Sequence, residues 1–284
     1  MSNNEYAPPP GPPPTGNHQK RSDKDAPPPY DPWLVVPDNA LLPPPPAFKN
    51  ELSPANNASE DDAERGRMWC LQNPLWPATP HNQTTLSHIA QKDITLTLPP
   101  GTRGIDLTRD SGKAFIRSPR GCTDTLLLSD FPLYVAGHSP PVFVYYEVAI
   151  MAIGRDSGIA VGFAAPPYPP FRLPGWHRAS LAVHSDDGHR YIDDPYGGIE
   201  FTAPFQKGET VGLGMTFQAQ GRVEIFFTRS GKLAGQWNLY EERDREEGGV
   251  GGLEGSRDLL AALGLFGEVR FEVLFKPEQW MYMP

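Results

Sequence analysis

The stretch FRLPGWHRASLAVHSDDGHRY, residues 171–191, decides the fold. Within it ASLAVHS (179–185) is a short apolar run with strand character, and Asp186-Asp187-Gly188 is turn chemistry. The predicted unit is a strand, a hairpin turn over DDGHRY and a returning strand. Working outward on both sides, the pattern repeats. DITLTL (93–98) alternates polar and apolar residues. VFVYYEVAIM (142–151), SGIAVGFA (157–164), TVGLGMTF (210–217), RVEIFFT (222–228) and EVRFEVLF (268–275) are further β-rich runs, punctuated by Gly, Pro, Asp and Asn. Many short strands with turns between them predict an all-β fold, an antiparallel sandwich or barrel.

Between RVEIFFT and KLAGQW, the segment RSGK (229–232) predicts a hairpin in which Gly231 supplies a positive φ. RDLLAALGLF (257–266) carries one or two turns of helical periodicity interrupted by Gly264, so strand and helix both stay open there. EERDREEGGVGGLEGSRD (241–258) is charged and Gly-rich, which predicts an exposed loop before the last strand.

In Leu173-Pro174-Gly175-Trp176, Ser180, His184 and Asp186-Asp187-Gly188 the sequence resembles the central signature of SPRY domains. YYEVAI (145–150), IAVGFA (159–164), FQKGETVGLGM (205–215), EIFFTRSGKLAG (224–235) and LGLFGEVRFEVLF (263–275) resemble the family's other segments, in order. Ser230 stands where Asn is common in the hairpin. The resemblance spans about residues 90–276. It implies a bent antiparallel β-sandwich that binds proteins and carries no chemistry of its own. YPPFRLPGWHR and DDPYGG look most like fungal SPRY adaptors that recruit a WW-domain HECT-type ubiquitin ligase through Pro-Pro-x-Tyr motifs. Those adaptors carry a transmembrane anchor. Here the longest apolar run, PPVFVYYEVAIMAIG, is too short to span a bilayer and is interrupted by Glu147.

Residues 1–68 have another character. Prolines crowd this segment, in APPPGPPPTG, DAPPPYDPW and LLPPPPAF, and aliphatic residues are sparse. The low apolar content of the whole chain, 38%, belongs mainly here. Such a segment cannot bury enough surface to offset the entropy of ordering, so the expected organisation is a disordered Pro-rich leader over 1–68 and a domain over 69–284. At the boundary, SEDDAERGRMWC (59–70) predicts a single helical turn, with Ser59 as cap and acidic residues behind it.

A net charge of -9 does not favour a basic face for nucleic acid. Cys70 and Cys122 are too few for a disulfide framework and have no metal spacing, so they are read as reduced thiols. MSNNEYAPPP has no secretory signature, and a cytoplasmic protein is expected. Asn82-Gln83-Thr84 matches a glycosylation sequon by chance on that reading. His184, Asp186, Asp187, His189, Asp193 and Asp194 form an acidic, His-containing cluster that resembles a metal or general-base site, but Asp-Asp-Gly turns account for it. No nucleophile elbow, phosphate loop or zinc-hydrolase motif is present, and neither an enzyme nor a cofactor is expected.

Two binding elements are predicted. Pro27, Pro28, Pro29 and Tyr30 have the spacing that a WW domain reads: prolines in polyproline II conformation, then a tyrosine in a second pocket. In APPYPPFR (165–172) the prolines cannot join a central strand, which places Tyr168, Phe171 and Arg172 on a loop open to a protein client. Trp176 joins this surface or packs as a strand-entry residue; its large apolar area favours packing. The expected function is an adaptor that brings a client to a ligase. The alternative is an interaction subunit of a chromatin-modifying complex or a multi-subunit ligase scaffold, with a passive leader. Ran-binding-type SPRY proteins, a group with such a ligase scaffold, continue into helical modules after the domain, where this sequence reads FKPEQWMYMP, so membership of that group is not expected.

Overall fold

The computed structural model describes residues 59–241 and 249–283. Pro27 to Tyr30 and the acidic stretch 242–248 lie outside them. Two helices open the described chain, α1 (Glu60–Gln72) and α2 (Gln83–Ala90). Fourteen strands follow: β1 (Leu96–Thr97), β2 (Asp106–Asp110), β3 (Lys113–Arg117), β4 (Thr125–Ser129), β5 (Val142–Ile153), β6 (Gly158–Ala164), β7 (Ser180–His184), β8 (His189–Ile192), β9 (Ile199–Glu200), β10 (Thr210–Phe217), β11 (Val223–Arg229), β12 (Lys232–Asn238), β13 (Leu260–Phe266) and β14 (Val269–Leu274).

The strands form two antiparallel sheets, ordered β1-β4-β13-β6-β7-β8-β9 and β12-β11-β10-β5-β14-β3-β2. The all-β sandwich expected from the sequence is the observed architecture. Its core is where the inward-facing residues of the sheets meet: Val144, Tyr146, Val148 and Ile150 of β5 against Ile159, Val161 and Phe163 of β6. The Tyr146 hydroxyl ties the sheets together. It donates to the Gly162 carbonyl at 2.6 Å and accepts from the Gly162 N–H at 2.9 Å.

Both central strands are covered on both faces, which is why their sequences read as apolar runs. Beyond the core, the outer face of β5 carries Tyr145 and Glu147. The Glu147 carboxylate is buried but accepts three bonds: from the Tyr145 hydroxyl at 2.8 Å and from the Met281 and Tyr282 N–H groups, each at 2.8 Å. A buried carboxylate is tolerable on those terms.

The outer face of β6 carries Ala160, Gly162 and Ala164, all small. This face receives the loop between β6 and β7. Leu173 and Trp176 pack on Ala160, and Tyr168 packs on Ala164. RDLLAALGLF obeys the same rule and is strand β13: Ala261, Leu263 and Leu265 point inward, while Ala262 and Gly264 leave room outside. A Cβ on Gly264 would stand 2.6 Å from Leu173 Cδ2, so helix periodicity loses to packing on both faces.

Three expectations need correction. The single turn over 59–70 is a 13-residue helix, and the boundary expected near residue 68 falls inside it. Its Ser59 cap and acidic first turn are as anticipated, but Ala63, Gly66 and Cys70 form a small-residue stripe that seats the whole helix on the domain. The 249–258 part of the predicted exposed loop is pinned: Leu253 is in the core, and Asp258 accepts from Ala136 N–H at 2.8 Å and meets His81 Nε2 at 2.7 Å. The DDGHRY turn ends sooner than expected, since β7 ends at His184 and β8 already begins at His189. Asn82, set aside as a chance sequon, caps α2 by accepting from Thr85 N–H at 2.8 Å.

Candidate functional site: a proline ridge between two depressions

Chain leaving β6 at Ala164 runs through Ala165-Pro166-Pro167-Tyr168-Pro169-Pro170-Phe171 and returns to β7 at Ser180. Proline has no N–H to give a ladder, so the loop must be held by other groups. Tyr168 holds it. Its ring is buried on β6, its hydroxyl donates to the Leu173 carbonyl at 2.7 Å, and it accepts from His177 N–H at 3.0 Å. Burial pushes its phenol well above the usual range. Trp76 N–H donates to the Pro166 carbonyl at 2.9 Å, which ties the segment after α1 to the same loop.

Arg172 is the largest side chain with under 2% exposure. Its guanidinium stacks over Trp176 at 4.3 Å, its Nε donates to His177 Nε2 at 3.1 Å, and Nη1 lies 3.9 Å from Asp124. This arrangement requires a neutral imidazole. Burial, with Arg172 and Arg178 beside it, pushes His177 down from 6.5 to about 3. Burial raises Asp124 from 3.8 to about 6, against the pull of Arg172.

Of the four residues expected to meet a client, Tyr168, Arg172 and Trp176 are therefore interior. Only Phe171 reaches solvent, with the Arg65 guanidinium 4.4 Å over its ring. The loop is a surface feature, as expected of its prolines, but its Tyr, Arg and Trp turn inward to supply the bonds and packing that proline cannot. What the ridge presents outward is Pro166, Pro167, Pro170 and Phe171.

A depression lies on each side of this ridge. One, of about 470 Å³, is walled by Trp69, Trp76, Leu98, Leu128, Pro166 and Pro167. Trp76 is 62% exposed, so a large apolar ring stands open to solvent at this groove. The other, of about 520 Å³, is polar and includes Arg103, Arg120, Cys122 and Asp124 beside Phe171. Trp69 and Trp76 belong to the region expected to lie at the edge of a leader, so their part in a surface was not foreseen. Two tryptophans within PLW and MWC, ahead of the first strand, were the available signal.

Four members of the His/Asp cluster, His184, Asp187, His189 and Asp194, are spent on structure. His184 is buried, stacks on Tyr191 at 4.1 Å and meets the Pro174 carbonyl at 2.9 Å. Asp187 accepts from His189 N–H at 2.8 Å and from the Tyr191 hydroxyl. Asp194 accepts from Tyr196 and Gly198 N–H groups. Among the described residues, no group of three or more His, Cys, Asp or Glu side chains is placed to hold a metal ion.

No protein-family model matches the chain. A SPRY domain-containing protein of Schizosaccharomyces pombe is 39% identical over 88 residues, 31% of this chain and 22% of the relative. Over those residues the chain is similar to fungal SPRY-domain proteins. Protein ssh4 of Sclerotinia sclerotiorum is similar to it at 38% identity over 88 residues, 31% of this chain and 16% of that protein. The match thus spans about a fifth or less of these relatives' own lengths. Among solved structures, a human SPRY domain superposes with a TM-score of 0.41 at 22% identity, covering 61% of this chain and 98% of that one. The SPRY domain of human HERC1 gives 0.34 at 14% identity, covering 66% and 97%. No helix among the described residues is long and apolar enough to cross a membrane.

Proposed function

We propose that this chain is a non-catalytic protein-binding adaptor. The ridge Pro166 to Phe171 and the Trp76 groove receive a protein client, and Pro27-Pro28-Pro29-Tyr30 engages a WW-domain HECT-type ubiquitin ligase. The observation that carries the reading is the open Trp76 ring beside a rigid proline ridge. An exposed tryptophan in an apolar groove is the residue type that anchors protein interfaces. Similarity to ssh4 proteins supports the same class of role. Tethering client and ligase on one chain raises their effective concentration for each other.

Both ends of the proposal can be tested separately. A photo-crosslinking amino acid at Pro166 in the full chain, expressed in fungal cells, should capture a discrete protein set that Trp76→Ala loses. The same set captured from Asp156, an exposed turn residue in another loop, would defeat the client surface. Purified WW domains should retain the wild-type chain and release Tyr30→Ala. Equal retention of the two would leave the leader passive and favour an interaction subunit of another complex.

A further inference from the structure

A third cavity, of about 620 Å³, is built from the other side of α1 and takes no part in the reading above. Its charged lining is Arg67, Arg178, Arg257 and Asp193, and its apolar wall is Leu71, Pro74 and Leu75. His177 also lines it but is neutral, since burial and the neighbouring arginines hold it near 3. Three guanidiniums against two carboxylates, Asp193 and the Glu64 that pairs with Arg67, leave an excess of positive charge, in a chain whose net charge is -9.

Two of the arginines are held by backbone carbonyls. Arg178 Nη2 donates to the Asn73 carbonyl, and its Nη1 is buried with no hydrogen-bond partner. Arg257 Nη1 donates to the Trp76 carbonyl at 3.2 Å. Arg67 pairs with Glu64 on its own helix, at 2.7 Å, and is 64% exposed. Arg178 is half-buried and lines the cavity, and a guanidinium held in this way is suited to an oxyanion, because Arg offers a planar fork that matches a carboxylate. The wall beside it is apolar, and Leu71 is 66% exposed.

We propose that this cavity binds an acidic–apolar peptide segment of a protein partner, with a carboxylate on Arg178 and an aliphatic side chain on Leu71 and Leu75. Charge complementarity chooses the acid, and the exposed leucine wall chooses a peptide over a small anion. The site is independent of the Trp76 groove.

The test is fluorescence anisotropy of the full chain with a fluorescein-labelled peptide, Gly-Glu-Leu-Glu-Leu-Gly, and its Gln-for-Glu counterpart. The Glu peptide should bind saturably and the Gln peptide about tenfold more weakly or not at all, a difference that added salt reduces. Arg178→Gln should cost about tenfold or more. Because Arg178 also holds Asn73, Arg67→Gln on the exposed helix face serves as the fold-neutral variant and should weaken binding several-fold. Leu71→Ala should weaken binding, and Trp76→Ala should not. Absence of saturable binding, equal binding of the two peptides, or unchanged binding in both arginine variants overturns the proposal. So does displacement of the peptide by millimolar inorganic phosphate together with no effect of Leu71→Ala, which would mark a simple anion site.

Discussion

The helix α1 serves two unlike depressions. Trp69 walls the apolar groove, while Arg67, Cys70 and Leu71 line the arginine cavity. The two differ in how their polar atoms are spent. Around the groove, Tyr168 both donates and accepts, and Trp76 N–H is paired with Pro166. What stays open there is mostly carbon, and binding by buried apolar area is not weakened by salt. In the cavity, the guanidiniums of Arg67, Arg178 and Arg257 form part of the lining, and the thiol of Cys70 is pushed up by burial, partly offset by a hydrogen bond from Arg178. Binding there would be charge-selective and weakened by salt. One helix thus separates a surface that recognises shape from one that recognises charge.

His177 lies under this division, and the largest expected effect comes from protonating it. Its folded-state pKa, about 3, is below its ordinary 6.5. Between those values the unfolded chain takes up a proton that the native chain refuses. Stability is then full above about pH 6.5 and is lost as the pH falls towards 3, by on the order of 4 kcal/mol. Asp124 acts in the opposite sense. Its folded-state value, about 6, lies above the ordinary 3.8, so its contribution to stability is present at acid pH and lost as pH rises through that window. The Asp124 side chain is a third exposed, which limits this to about 1 kcal/mol. Urea midpoints at pH 7.5, 6 and 4.5 should therefore fall with acid in the wild type. His177→Gln, which retains an acceptor for Arg172, should flatten that limb, and Asp124→Asn should steepen it slightly. An acid limb unchanged in His177→Gln would show that the imidazole is not what acid attacks.

A mid-sized effect is expected where α1 meets the domain. A Cβ on Gly66 would stand 2.1 Å from His177 Nε2 and 2.6 Å from Cε1. The ring cannot yield easily, since Arg172 donates to it and the residue is 5% exposed. Gly66→Ala should cost about 2 kcal/mol by overpacking. It should also weaken the groove and the cavity together, because both lose the helix that walls them. Loss of only one would mean that α1 is not their shared support.

The sandwich was legible because strand patterning is local: alternation and turn residues sit next to each other in the sequence. α1 was only half legible. Its cap is a local signal, but Ala63, Gly66 and Cys70 are small residues, and small residues read as packing only when the partner is known. The same limit hid the site. Prolines 166 to 170 announced a loop, while the inward turn of Tyr168, Arg172 and Trp176 depends on Ala160 and Ala164 being small on a strand that precedes them. RDLLAALGLF stayed open between strand and helix for a related reason, since its small outer residues mimic a helix repeat until the covering loop is in place.

The smallest effect separates local stability from both depressions. In the β11–β12 turn, Arg229 pairs with Lys232, and the two central residues, Ser230 and Gly231, have φ of 46° and 74°. Both are left-handed, as a two-residue type I′ turn requires, and Asn tolerates the first position better than Ser. Ser230→Asn should stabilise the chain by about 0.5 kcal/mol. The urea midpoint should rise, and the Pro166 crosslinks and the anisotropy of the Glu peptide should stay as in the wild type. The reason is topological: this hairpin is the edge of the sheet that holds β10 and β5, whereas groove and cavity rest on α1 and the loop over β6. A change in either binding signal on this substitution would mean that the depressions respond to global stability, and the contrast between them would then have to be measured at matched stability before it could be assigned to their linings.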